Sequence, residues 1–354
     1  MIAALLLAAA LPAAAAPSTL TVDCDPRLDL LGVVQTLAGW RLSEPPLPRS
    51  MADLETRFAA WKDHPAVKTY AATAARLDGH ETFVLILTAL SDPPELAWVA
   101  PRRALSVEFV AKAGGDAAVD AFLRDLRDFA RRSGAMEWLK SRSGECREAR
   151  AAARLELGGR DPLALLEGYL GRPLDARVRL TLPLVYTRRM YTHYIIPYPY
   201  SPDGPVKGPF RVSAVIKHDW GETGRPRFFL EAPFQSGVFQ EVYYIVAEPA
   251  YLRHKKEFEA RAHLAAGLGE GCHGVWQNCA LHVVVQALNR RVAALDGRGL
   301  PEHGDDPVPA AIKRLAARLE TDYEPGRAAG RYRDIDDFWP RLIDALGPPA
   351  PPRD

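Results

Sequence analysis

The feature that most constrains this chain is a change of hydrophobic period, twice, along one sequence. From residue 25 to about 170 the apolar positions recur at helical spacing. DPRLDLLGVVQTLAGW (25–40) places Leu28, Leu31, Val34 and Leu37 at helical intervals, with Gly39 as its stop. MADLETRFAAWKDH (51–64) puts Leu54, Phe58 and Trp61 on one stripe, and Pro65 opens another helix. Between Asp116 and Ser133, Phe122, Leu126 and Phe129 repeat in the same way, with Asp116 and Gly134 as caps. At 177 the pattern becomes strict alternation: RVRLTLPLVY turns Val178, Leu180, Leu182 and Leu184 to one side, the signature of a strand. FRVSAVIKHDW (210–220) and RFFLEA (227–232) are two more strand candidates, separated by Pro- and Gly-rich loops. The aromatic run YTHYIIPYPY (191–200) reads as a structured loop on the sheet, or as a substrate edge. Helical spacing returns over 238–247, 250–266, 276–295, 308–321 and 334–346. The spacing therefore predicts an α+β, mainly helical protein: a helical block (17–170), then a region of small sheet plus helices (171–346), then a Pro-rich disordered tail (347–354).

The 354 residues are enough for one large domain or two ordinary ones. A formal net charge of +1 supplies no field for nucleic acid, so no nucleic-acid partner is expected. The apolar run Ile2–Leu11 ends in small residues near Ala16, as in a signal peptide's core and cleavage zone (1–16). No Lys or Arg precedes it, a departure from that pattern; the run is too short to span a bilayer and no later segment is long and apolar enough, so a soluble exported protein, periplasmic or extracellular, with no transmembrane segment in the mature chain, is expected. Four cysteines in an exported chain permit two disulfides: Cys272 with Cys279 around a short loop, and Cys24 with Cys146. Four buried thiols, or a metal cluster of Cys272, His273, Cys279 and His282, are the other readings.

FQEVYYIVAEP (239–249) has Glu241 where the helical zinc motif H-E-x-x-H has its glutamate, but Gln240 and Tyr244 where that motif has histidines. Its β-branched and aromatic residues favour a strand locally; the apolar positions do not alternate cleanly, which favours a helix. Around it the chain resembles an uncharacterised family of exported, mostly bacterial proteins that look like zincin-type (gluzincin-like) metallopeptidases. VDCDPRLDLLGVVQTLAGW (22–40) is similar to that family's opening D-P-R-x-E-L-L segment, with Asp29 in the Glu position. WKDHPAVK (61–68) is similar to its K-D-H-P-A-V segment, and QEVYYIVAEP (240–249) to its H-E-F-x-H-x-x-V-N-P motif, here degenerate. The resemblance implies a zincin-like fold, with the motif helix following the sheet and a third ligand, commonly Glu, on a later helix. WQNCALHVVVQALNRRV (276–292) is that later stretch, with His282 in the Glu position and Gln286 in the position of a family Arg.

A peptidase zinc needs three protein ligands and an open position for water, and its neighbouring Glu takes the water's proton. Here Gln240 offers an amide, Tyr244 a phenol of ordinary pKa about 10, and His282 one good ligand. Glu241 keeps the general-base position with no activated water to serve, so the residues imply a vestigial site with no confident metal and no expected cofactor. Asn278, His282, Gln286 and Asn289 form a polar stripe on the 276–295 stretch, opposite Leu281, Val285, Leu288, Val292 and Leu295. Facing Gln240, Glu241, Tyr244 and Glu248, that stripe would make a cleft for a peptide or protein ligand: a pseudoenzyme. The alternative is an active zinc hydrolase or peptidase with rearranged ligands, drawing on His193, His218 or His273. His64 reads as a helix-boundary residue, His218-Asp219 as a chance pair, and Ser236 as a nucleophile without an elbow motif.

Overall fold

The computed structural model describes residues 18–40, 51, 53–74, 80–99, 110–111, 113–182, 184–185, 192–196, 200–201, 204–205, 210–215, 227–228, 230, 239–267, 276–297 and 310–350. The expected signal peptide, Cys272, His273, His218, Asp219, Ser236 and residues 351–354 lie outside them. The helical part runs α1 (Pro26–Leu37), α2 (Leu54–Arg57), α3 (Pro65–Ala74), α4 (His80–Thr88), α5 (Asp116–Arg132), α6 (Ala135–Ser141), α7 (Ser143–Leu157) and α8 (Pro162–Leu170). After the sheet come α9 (Gln240–Arg253), α10 (Lys255–Glu259), α11 (Trp276–Leu295), α12 (Ala310–Arg318), α13 (Glu324–Ala328) and α14 (Trp339–Leu346). Mainly helical α+β is therefore the architecture.

The sheet differs from its sequence reading. Its order is β1 (Thr19–Asp23), β2 (Ala176–Thr181), β6 (Phe210–Val215), β3 (Thr192–Ile196), parallel except for β3 against β6. β1 alternates, with Leu20 and Val22 less exposed than Thr19 and Thr21, but over five residues only, and it pairs with β2. β3 falls in the aromatic run read as a loop, and the two-residue strands β4 (Tyr200–Ser201) and β5 (Gly204–Pro205) pair just beyond it. Arg227 makes an isolated bridge, and Phe228 and Leu230 donate their backbone N–H groups to the two oxygens of Glu156 at 2.8 and 2.9 Å. A helix side chain thus satisfies backbone that the alternation assigned to a strand ladder.

The segment 22–40 builds the junction between helices and sheet. Asp25 caps α1, accepting the N–H of Arg27 at 3.0 Å, with Pro26 in the first turn. Arg27 is buried against Asp25 and also donates to the Thr88 and Leu90 carbonyls, so α4's end is fixed to α1's start. Asp29 reaches across to the exit of β2, where its Oδ1 accepts the N–H groups of Leu184 and Val185 at 2.9 and 3.0 Å. Cys24 is disulfide-bonded to Cys146, which ties this junction to α7.

The stretch read as a helix over 51–64 is shorter and broken: α2 is followed by a 3-10 turn over Ala59–Trp61, with Phe58 turned inward against Phe129 and Trp138, and Pro65 opens α3 as expected. His64 then starts α3: its Nδ1 accepts the N–H of Ala66 at 3.2 Å, which leaves Nε2 to donate to Asp128 at 3.1 Å. His64 is a helix-boundary residue, as read. At the other end of the chain, residues 347–350 are docked, with the Ala350 N–H on the Ala260 carbonyl at 2.8 Å and Arg261 Nε on Gly347 O at 2.8 Å.

Candidate functional site

FQEVYYIVAEP forms a helix, not a strand. α9 begins at Gln240 and runs through Pro249 to Arg253, six residues beyond the predicted end at 247. Ala250 and Tyr251 are completely buried, and the His254 N–H closes the last turn on the Ala250 carbonyl. Burial on nearly every side explains the override of strand propensity: from Val242 to Tyr251 every residue is buried save Tyr244 and Pro249. α9 packs against α11, β3 and β6. The side chains of Gln240 and Glu241 lie outside the description, although their backbone opens the helix.

Tyr244 is half-buried, and Glu248, one turn on, is buried at 4% exposure. The two lie on the side of α9 that is least covered, together with the backbone position of Glu241. Tyr243 points the other way. It is completely buried, its hydroxyl meets no hydrogen-bond partner, and burial pushes its pKa well above that of an ordinary phenol.

α11 matches its predicted limits, Trp276 to Leu295. From Cys279 to Asn289 every residue is buried save His282 and Gln286, both half-buried. Asn278 before them is exposed and Arg290 after them is half-buried. Accessible positions thus recur at strict i, i+4 spacing, 278, 282, 286, 290, along one line of an otherwise enclosed helix. Asn289, assigned to the same polar stripe, is buried beside that line at 4% exposure. Leu281, Val285, Leu288 and Val292 are core, whereas Leu295, counted with them, is 51% exposed at the helix end. Arg290 was missed by the sequence reading; continuing the i+4 count from Gln286 finds it.

Of the three positions that the resemblance would make zinc ligands, 282 carries an imidazole, 244 a phenol and 240 an amide, a donor set poorly suited to zinc. Cys279 is disulfide-bonded, which removes it as a thiolate from the cluster considered with Cys272, His273 and His282; Cys272, the remaining cysteine, is outside the described residues. Among the described residues no group of three His, Cys, Asp or Glu side chains is placed to hold a metal ion, and no helix is long and apolar enough to cross a membrane.

The most perturbed carboxyl groups lie elsewhere, at the start of α1. Burial raises Asp29 to about 7, and the two backbone N–H groups of Leu184 and Val185 pull against that rise. Burial also pushes Asp25 upward, but the hydrogen bond and charge of Arg27, with the charge of Arg179, overcome it and hold the carboxyl below its usual range. This pair of carboxyl groups has every hydrogen bond of a structural junction and no open neighbour, so we assign it to the fold. No protein-family model, curated protein or solved structure matches the chain.

Proposed function

We propose that this is an exported zincin-like protein whose ancestral metal helix has been converted to a binding element: a pseudo-peptidase that takes a peptide or protein segment between α9 and α11. The observation that carries the reading is the pairing of α9 with α11, each enclosed by core except for a line of polar residues. Tyr244 occupies that line on α9, with Glu248 buried one turn on; Asn278, His282 and Gln286 occupy it on α11. A pair of helices that carries Gln, Tyr and His at the three former ligand positions keeps hydrogen-bonding capacity and loses the ability to sharpen a water into a nucleophile. Glu241 then has no proton to take, and its role is vestigial.

β3 supports a peptide as the occupant. It ends the sheet beside β6 and packs against α9, and an edge strand offers backbone N–H and C=O groups to an extended chain. Elemental analysis of the purified protein tests the central claim: far less than one equivalent of zinc is expected. Stoichiometric zinc that survives dialysis, with hydrolysis of a peptide abolished by Glu241→Gln, would establish the active enzyme with rearranged ligands instead.

A further inference from the structure

Arg290 differs from the paired arginines around it. Its neighbour Arg291 is fully engaged: Nε and Nη2 donate to the two oxygens of Glu324 at 2.8 and 2.9 Å, and Nη1 meets Glu320 at 3.0 Å. Arg253 and Arg261 are likewise paired with Asp336 and Asp344. Arg290 is half-buried, and among the described residues it meets no hydrogen-bond or ion-pair partner. A partly desolvated guanidinium with no counter-charge is an unusual thing to keep in a folded protein, since its five donors are rigidly disposed for a carboxylate.

Its position gives that donor set a direction. Arg290 ends the accessible line that runs through Asn278, His282 and Gln286, and no acidic residue interrupts the line. One turn further on the same spacing reaches Ala294, exposed and apolar. Eight residues separate His282 from Arg290, about 12 Å along the helix. An extended peptide covers about 3.3 Å per residue, so about four residues would span the interval. Amide and imidazole groups along the line suit the peptide backbone; the cation at its end suits a negative charge at the end of the ligand.

We propose that the α11 line reads the last residues of an extended peptide, with Arg290 receiving the C-terminal carboxylate. This rests on the binding role assigned above to the α9–α11 pair and adds the class of ligand to it. A carboxylate held by both arms of a guanidinium gains a pair of charge-assisted hydrogen bonds that a terminal amide cannot reproduce.

Fluorescein-labelled hexapeptide libraries, randomised in sequence and ending either in a free carboxylate or in an amide, test it by anisotropy with the full-length protein. The free-acid library should bind about tenfold or more tightly than the amide. Arg290→Met, which retains the apolar stem and so the local packing, should bring the two forms to the same affinity, and Arg290→Lys should restore part of the difference. Circular dichroism of both variants verifies that they fold. Equal binding of acid and amide by the natural sequence overturns the role of Arg290 while leaving peptide binding in place. An amidated peptide with an internal Asp that binds as tightly as the free acid overturns the terminal assignment. Absence of binding by either library up to about 1 mM overturns both this inference and the binding role on which it rests.

Discussion

Asp29 shows how one residue can set the pH response of the whole chain. Its carboxyl has an ordinary pKa of 3.8 when unfolded and about 7 in the folded protein. Below the lower value it is neutral in both states. As pH rises from about 4 to about 7 the unfolded chain gives up the proton and the folded chain does not, so stability falls over that window. Three units correspond to about 4 kcal/mol. Asp29→Asn keeps an acceptor for Leu184 and Val185 and removes the titration, so urea midpoints measured between pH 4 and 8 should slope downward for the natural sequence and flatten by that amount in the variant. Tyr243 makes the opposite point about an uncharged group. Its hydroxyl is buried without a partner, and such a group destabilises by about 1–3 kcal/mol. Tyr243→Phe should therefore raise the thermal midpoint, by a stabilisation of about 1 kcal/mol; a fall in the midpoint would reveal a hidden partner for the hydroxyl.

Among the elements, α1 is held by charge as much as by apolar burial. Arg27 joins the Asp25 cap to two carbonyls at the end of α4. Arg27→Met keeps volume but strands a completely buried carboxylate, with Arg179 at 3.7 Å as its nearest remaining cation. A loss of about 3 kcal/mol in denaturant unfolding is expected. Part of this was visible in the letters: the helical period from Leu28 to Leu37 marked α1, and α11 was located to the residue because its long apolar run had clear limits. β1 and β3 were not visible. Five-residue strands hold too few alternations to stand above noise, and β1 pairs with β2, which lies far away in sequence. The Glu156 clamp on Phe228 and Leu230 was hidden for the same reason.

For the molecule as a whole, the Cys24–Cys146 disulfide spans a sequence separation of 122 residues and encloses α1 to α6 and the first turn of α7. Closing so long a loop in the unfolded chain corresponds to about 4–5 kcal/mol. A Cys24→Ser/Cys146→Ser double variant should lose a stabilisation of that order, read as a lower urea midpoint, and dithiothreitol, which also reduces the disulfide of Cys279, should lower the midpoint of the natural sequence by at least as much. β1 gives the bond its larger meaning. The chain's first strand is inserted beside β2 and locked to α7, so the helical block and the sheet share one hydrophobic core.

The sequence by itself determined the order of helical and alternating segments, the helical reading of 238–247, the helix boundary at His64 and the chemical character of the QEVYYIVAEP stretch. Those are properties of residues within a turn or two of one another. Tertiary structure alone decided that α9 runs on through Pro249 to Arg253, that burial raises the Asp29 carboxyl to about 7 at the exit of β2, and that 278, 282, 286 and 290 stay accessible on α11. Each of these depends on which other segments exclude water from the residue, and water exclusion is a property of the packed core, not of the neighbouring letters. Arg290 belongs to both accounts: its i+4 place is written in the sequence, and only the packed helices show that Glu320 and Glu324 pair with Arg291 instead.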